Sequence, residues 1–341
     1  MSGTPPLGMF VGCGRSGTTL VRAIFDSHSQ LAVTHHAQFI VAMGRRRHRY
    51  ESRTGLDTER FLADLVASHR FAHLQLTADE VRARLDTPVP DLASGLRRVL
   101  ALYAERQGKP RYADKTPGHV TRIALLSGLF PEARFVHIIR DGRNSWVGYR
   151  DRGFGPKTVA DAAFNWKGRV LRGRRAGLAL GADRYLEVRY EDLVEKPGPT
   201  LEPVCSFLDL AFEPSMLDYH RRADTVLAGL ESADRKDFEN LFRPLTTGMR
   251  DWHTEMSGEE QRTFDAIAGD LLAELGYERP VTAAGRRSGL VVARVAESWA
   301  EWQLRRGLFQ ATLVRRRVTG AKGPGGGGAQ APQPRSSPSR S

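Results

Sequence analysis

Gly12-Cys13-Gly14-Arg15-Ser16-Gly17-Thr18-Thr19 follows the short apolar run from Leu7 to Val11 and precedes Leu20-Val21-Arg22-Ala23-Ile24-Phe25. That order predicts a strand, a glycine-rich turn and a helix. Gly12, Gly14 and Gly17 let the backbone turn tightly and point several N–H groups into one concavity. The helix starting near Thr18 adds unpaired N–H groups and the positive end of its dipole, so an anion belongs there. The spacing matches the phosphate-binding P-loop pattern G-x-x-x-x-G-K-[ST], except that Thr18 stands where the lysine should be. Without that lysine, triphosphate chemistry is disfavoured, but a cradle for one phosphate survives. An ordinary strand-to-helix turn needs neither the cation Arg15 nor the hydroxyls of Ser16, Thr18 and Thr19.

Composition narrows the classes. The chain has 341 residues with 40% hydrophobic content, enough for one large domain or two small ones. Its net charge of +12 resembles a nucleic-acid signal until it is located: residues 286–341 carry 11 Lys+Arg against 2 Asp+Glu, which leaves only +3 for the rest. The body is nearly balanced, so no nucleic-acid partner is expected. Cys13 and Cys205 form neither a disulfide framework nor a zinc site and read as buried fillers. With the first strand beginning by Leu7 and no apolar run of transmembrane length, the expected setting is cytoplasmic.

Along the chain, apolar runs alternate with helical periodicity. Leu31 to Thr34, Arg111 to Lys115, Arg134 to Ile139 and Tyr185 to Tyr190 read as strands. Leu92–Arg106, His119–Phe130, Ala160–Ala179, Pro199–Leu208 and Gly258–Leu275 read as helices, and residues 45–90 as a charged, mostly helical stretch packing through Phe61, Leu62, Leu65, Val66 and Phe71. Residues 221–242 have weak periodicity and suit a flap. The alternation predicts an α/β, P-loop-type three-layer fold with a central parallel sheet flanked by helices. In such sheets ligands sit beyond the C-terminal strand ends. The glycine turn, Lys115, Arg140 and Tyr190 all lie there. Three segments follow: a domain over 1–282, a basic amphipathic helical extension over 283–318, and a Gly/Pro/Ser/Arg tail over 319–341 expected to be disordered.

Gly-Arg-Ser-Gly-Thr-Thr-Leu at 14–20, Asp114-Lys115-Thr116-Pro117, residues 134–143 and Val188-Arg189-Tyr190-Glu191-Asp192-Leu193 occur in this order. Together they resemble the sulfotransferases that use 3′-phosphoadenosine 5′-phosphosulfate (PAPS), in the bacterial branch similar to tyrosylprotein sulfotransferases. The resemblance covers about residues 8–280. It implies PAPS as co-substrate, no metal, and an acceptor bearing a hydroxyl on a carbohydrate, lipid, small molecule or protein tyrosine. It implies that Gly14, Arg15, Ser16, Gly17, Thr18 and Thr19 hold the 5′-phosphosulfate and that Arg140 binds the 3′-phosphate. A salt bridge from Arg140 to Asp141 is the competing reading. Lys115 corresponds to the lysine that stabilises the transferring group; the alternative is a surface lysine paired with Asp114. Tyr190 corresponds to a nucleotide-contacting tyrosine, or is an aromatic core residue. Where the family has a phosphate-binding serine this chain has Gly148, and Ser145, three residues earlier on the same helical face, is the expected substitute. Arg152 matches a second phosphate arginine.

The family's branch carries a glutamate base 21 residues after the arginine of the glycine turn, and that position here is His36. Imidazole suits proton abstraction near neutral pH. His35 and His36 are expected to point opposite ways in an extended segment, so that only His36 faces the sulfate. Alternative functions are a small-molecule kinase, opposed by the missing lysine, and a basic membrane-surface protein acting through Trp299, Trp302 and Phe309 in weak, peripheral contact with anionic lipid. Deleting residues 286–341 should reduce sedimentation with anionic vesicles if the extension has that role; unchanged binding removes it.

Overall fold

The computed structural model describes residues 5–68, 70–150, 152–223 and 240–278. Strands β1 (Gly8–Gly12) and β2 (Leu31–His35) come first, and a small antiparallel ribbon of β3 (Glu51–Ser52) and β4 (Gly55–Leu56) follows. The strands β5 (Arg111–Lys115), β6 (Arg134–Ile139) and β7 (Tyr185–Arg189) complete the main sheet. Its order is β2-β5-β1-β6-β7, and every pair is parallel. A parallel sheet needs crossovers that cover both faces, which is why these strands are apolar on both sides. Met9 and Val11 enter one core with Ala32 and Phe135, while Phe10 enters the other with Val33, Val136 and Ile138.

Helix α1 (Thr18–Asp26) packs on the second of these faces. Helices α2 (Gln38–Gly44), α3 (Thr58–Val66), α4 (Ala78–Arg84), α5 (Leu92–Arg106) and α6 (Ile123–Leu129) contribute to the first core. Next come α7 (Gly142–Arg150), α8 (Val159–Leu178), α9 (Tyr190–Glu195) and α10 (Pro197–Phe207). Finally, α11 (Trp252–Glu255) and α12 (Gly258–Glu274) join α7 and α8 in a third cluster around Trp166, Trp252 and Phe264. Helices α3, α5, α8 and α12 begin at Asp57, Asp91, Thr158 and Ser257, whose side chains accept the first-turn N–H groups. Helix α1 differs. It begins at Gly17 with no side-chain cap.

The expected elements appear with small differences. Val66 is 40% exposed rather than packed, because α3 turns only Phe61, Leu62 and Leu65 inward. The expected helix over His119–Phe130 divides into a 3₁₀ segment, Pro117–Arg122, and α6, with Arg122 leaving helical geometry at φ −132°. Of the expected flap, residues 224–239 lie outside the described residues, as do the extension 283–318 and the tail 319–341. None of the described helices is long and apolar enough to cross a membrane.

Asp114 ties the sheet's functional edge together. It is fully buried, and its Oδ1 accepts bonds from Thr34 Oγ1 at 2.9 Å, Thr116 Oγ1 at 3.0 Å and the Ala37 N–H at 3.3 Å. Its Oδ2 lies 3.0 Å from His119 Nδ1. One carboxylate thus joins the ends of β2 and β5. Replacing it with alanine strands those donors and should cost about 3 kcal/mol of unfolding free energy. Urea denaturation measures this; an Asp114→Ala midpoint equal to wild type overturns the role.

Candidate active site

A cavity of about 540 Å³ opens at the C-terminal ends of the strands, where the topology predicts it. The glycine turn forms its floor. Gly17 has φ 84°, and a Cβ there would meet the Tyr190 ring at 2.2 Å. A Cβ at Gly14 would sit 1.9 Å from the Tyr149 hydroxyl. Both positions therefore need glycine, one for its backbone angle and its neighbour, the other for close approach. The Ser16 hydroxyl is buried and has no hydrogen-bond partner among the described residues. With the uncapped start of α1, it leaves a set of donors awaiting an anion.

Arginines surround this floor. Arg140 is 4% exposed, and its Nη2 donates to the Met249 carbonyl at 2.6 Å. Its guanidinium carbon lies 4.3 Å from the Tyr190 ring centroid, a cation–π contact. Asp141 is engaged elsewhere, with Arg143 at 2.7 Å, so the Arg140–Asp141 bridge does not form. Tyr190 is half-buried and lines the cavity between Gly17 and Arg140. Arg15 and Arg250 complete the group. Burial, then the charge of Arg152 and that of Arg140, lower the Arg15 guanidinium to about 10. Burial, then Arg15, Arg140 and Arg152, lower Arg250 to about 10 as well. Like charges gathered with few countercharges make an anion site.

Arg152 is half-buried, and its charge acts on both Arg15 and Arg250, although it does not line the cavity wall. Ser145 is placed differently from expectation. Its hydroxyl turns back toward the Asp141 carbonyl, 3.4 Å away, and it does not line the cavity. The surroundings of Gly148, where the family has its serine, are crowded. A Cβ there would lie 3.3 Å from both Arg15 Cβ and Arg250 Cδ. Two arginine stems occupy the space that a larger side chain would take. Arg250 escaped the sequence reading because no spacing links it to Arg140, over 100 residues earlier; only Gly248 and Trp252 beside it hint at a structured turn.

On the opposite side, strand register brings Lys115 beside His35. Lys115 is fully buried rather than a surface lysine. Its Nζ lies 3.1 Å from His35 Nδ1 and 3.4 Å from Thr19 Oγ1. Burial above all, then Arg22, holds the Lys115 ammonium well below its usual pKa, against the pull of Asp114. The expectation that His35 and His36 face opposite ways is corrected. Both line the cavity, with ring centroids 4.3 Å apart. β2 ends at His35, and His36 adopts a left-handed φ of 58°, which breaks the alternation of an extended strand. Its N–H donates to the Lys115 carbonyl at 3.0 Å, holding the kink. Burial, then Lys115, depresses both imidazoles, so both are neutral at neutral pH.

Three of the five non-glycine residues with left-handed backbone among the described residues, Arg15, His36 and Arg250, line this cavity. Such conformations are uncommon and cluster where surrounding structure imposes them. Replacing Arg250 with alanine should weaken 3′-phosphoadenosine 5′-phosphate (PAP) about tenfold, the loss of one charge-assisted contact. Calorimetric titration checks this; unchanged affinity removes Arg250 from the anion site.

Comparisons with known proteins agree with this geometry. A family profile described as "Sulfotransferase family" matches residues 9–214. Nodulation protein NoeE of Sinorhizobium fredii is 25% identical over 345 residues, covering 90% of this chain and 76% of that protein. Protein-tyrosine sulfotransferase 1 of Danio rerio is 25% identical over 282 residues, covering 80% and 72%. Among solved structures, the sulfotransferase domain of the Synechococcus PCC 7002 olefin synthase has the same fold. It superposes with a TM-score of 0.55 at 22% identity, covering 82% of this chain and 98% of that one. With the family profile spanning more than half of its length, the chain belongs to the sulfotransferase family, and it is a transferase of sulfuryl groups.

Proposed function

We propose that this sulfotransferase takes its sulfuryl group from PAPS and delivers it to a hydroxyl acceptor. The observation that carries this reading is a divided set of cations around one cavity. Arg140, Arg15 and Arg250 line it beside Tyr190, and Lys115 lies apart from them, buried behind the lining and next to Thr19, which does line it. A donor with two separated phosphate groups fits that division. The 5′-phosphosulfate would rest on Gly14, Arg15, Ser16, Gly17, Thr18 and Thr19. The 3′-phosphate would take Arg140 and Arg250, with Arg152 adding charge behind them. The orphaned Ser16 hydroxyl and the unbonded Arg140 Nε support this fit.

Sulfuryl transfer forms a bond from sulfur to the acceptor oxygen as the bond from sulfur to the 5′-phosphate oxygen breaks. Negative charge gathers on the oxygens around sulfur, and Lys115 is the cation that stabilises it. His35 Nδ1 accepts from the Lys115 ammonium, which places the ring proton of His35 on Nε2 and holds the lysine in position. His36 then acts as the base that receives the acceptor proton. Burial, then the charge of Lys115, depresses its pKa in the ligand-free site, and a bound anionic donor would offset the part that comes from charge. Thr18, in place of the P-loop lysine, argues against the kinase alternative. The relatives named for tyrosine sulfation support a hydroxyl acceptor. The catalytic unit is proposed to span 1–282 and to work in the cytoplasm, where two unpaired cysteines stay reduced.

PAP should raise the melting temperature, and ATP with Mg²⁺ should not; the reverse result supports the kinase. His36→Asn tolerates the left-handed backbone but has no base. It should lower kcat by about a hundredfold or more with PAP affinity nearly unchanged. Wild-type turnover in this variant rejects His36 as the base.

A further inference from the structure

Arg70 is a further cation of the cavity, outside the group of Arg15, Arg140 and Arg250. It lies on the turn after α3 and lines the cavity. Its Nη1 donates to His73 Nε2 at 3.2 Å, and His73 Nδ1 donates to the His35 carbonyl at 3.3 Å. The His73 ring sits 5.4 Å from that of His35. This relay fixes the guanidinium at the end of β2, the edge strand of the sheet. The Arg70 Nε is buried and has no hydrogen-bond partner among the described residues. A buried N–H of a charged group without an acceptor points to one that arrives from outside.

Position along the sheet tells which molecule brings that acceptor. Arg140 and its companions gather at the β1 and β6 ends, and Lys115 with the two histidines sits at β5 and β2. Arg70 lies beyond the histidines. Its charge is felt by Lys115 and His36, whereas Arg15 responds to Arg152 and Arg140, and Arg250 to Arg15, Arg140 and Arg152. In-line displacement puts the attacking hydroxyl on the side of sulfur opposite the leaving phosphate. On the PAPS reading the base would stand between sulfur and the acceptor, and Arg70, joined to the β2 end through His73, would stand on the acceptor's side.

We propose that the acceptor carries an anionic group, a carboxylate or a phosphate, near its reacting hydroxyl, and that Arg70 binds this group. A guanidinium suits the task because its fork matches two oxygens of either anion. Gln38 and Arg169 line the same cavity and offer further donors. The assignment rests on the PAPS reading of the site.

The test uses the full chain saturated with PAP. Calorimetry compares 4-hydroxybenzoate with 4-hydroxybenzamide, and glycerol 3-phosphate with glycerol, so that the two arms separate carboxylate from phosphate. At least one anion should bind about tenfold more tightly than its neutral counterpart, and Arg70→Gln should erase the difference while PAP affinity stays within about twofold. Equal binding of charged and neutral probes in both pairs overturns the proposal, as does an Arg70→Gln protein that keeps the preference. Weaker PAPS with unchanged PAP in Arg70→Gln would assign Arg70 to the donor sulfate and overturn it too. Failure of wild type to bind PAP strikes the donor reading itself, and this proposal with it.

Discussion

Buried positive charge without matching negative charge governs the cavity. Ordinary buried cations are paired, because an isolated charge is expensive to remove from water. Here Arg143 follows that rule, held by Asp141 and lying 3.6 Å from Asp265. Its near neighbour in sequence, Arg140, instead spends its donors on the Met249 and Arg15 carbonyls and its face on Tyr190. The contrast between these two arginines separates structure from function more cleanly than any motif. One is neutralised by the fold, and the other lines the cavity with no carboxylate partner among the described residues.

The fold tolerates this arrangement because a single carboxylate, Asp114, is spent on geometry. It ties Thr34, Ala37 and Thr116 together and so fixes how β2 and β5 end. The register then sets His35 opposite Lys115, and the kink at His36 swings a second imidazole to the same side. Three functional side chains come from two strand ends, held by one buried acceptor. Of the five left-handed residues other than glycine among the described residues, Arg15, His36 and Arg250 face the cavity, whereas Gln75 and Asp209 do not.

Gly148 shows how a departure from a family pattern can be absorbed. Where the family's serine is missing from α7, the glycine lets an arginine from the segment before α11 lie close to Arg15, and that arginine is the proposed replacement. The expected substitute, Ser145, is one turn away in sequence terms but bonds its own helix backbone. Helical spacing placed it on the right face; competition from the Asp141 carbonyl turned the hydroxyl away.

Much of the architecture was legible in the order of residues. Apolar runs ending in glycine, lysine or arginine marked the strands and their functional ends, since burial on both faces demands such runs and ligands gather where they stop. The glycine turn, Lys115, Arg140 and Tyr190 were readable for that reason. Packing alone decided the rest. The Lys115–His35 contact depends on parallel register, the turn of His36 on one left-handed angle, and the recruitment of Arg250 and Arg70 on segments that return to the cavity from far along the chain. Spacing in a sequence reports neighbours on one element, whereas these contacts join different elements, so only the tertiary structure could bring them together.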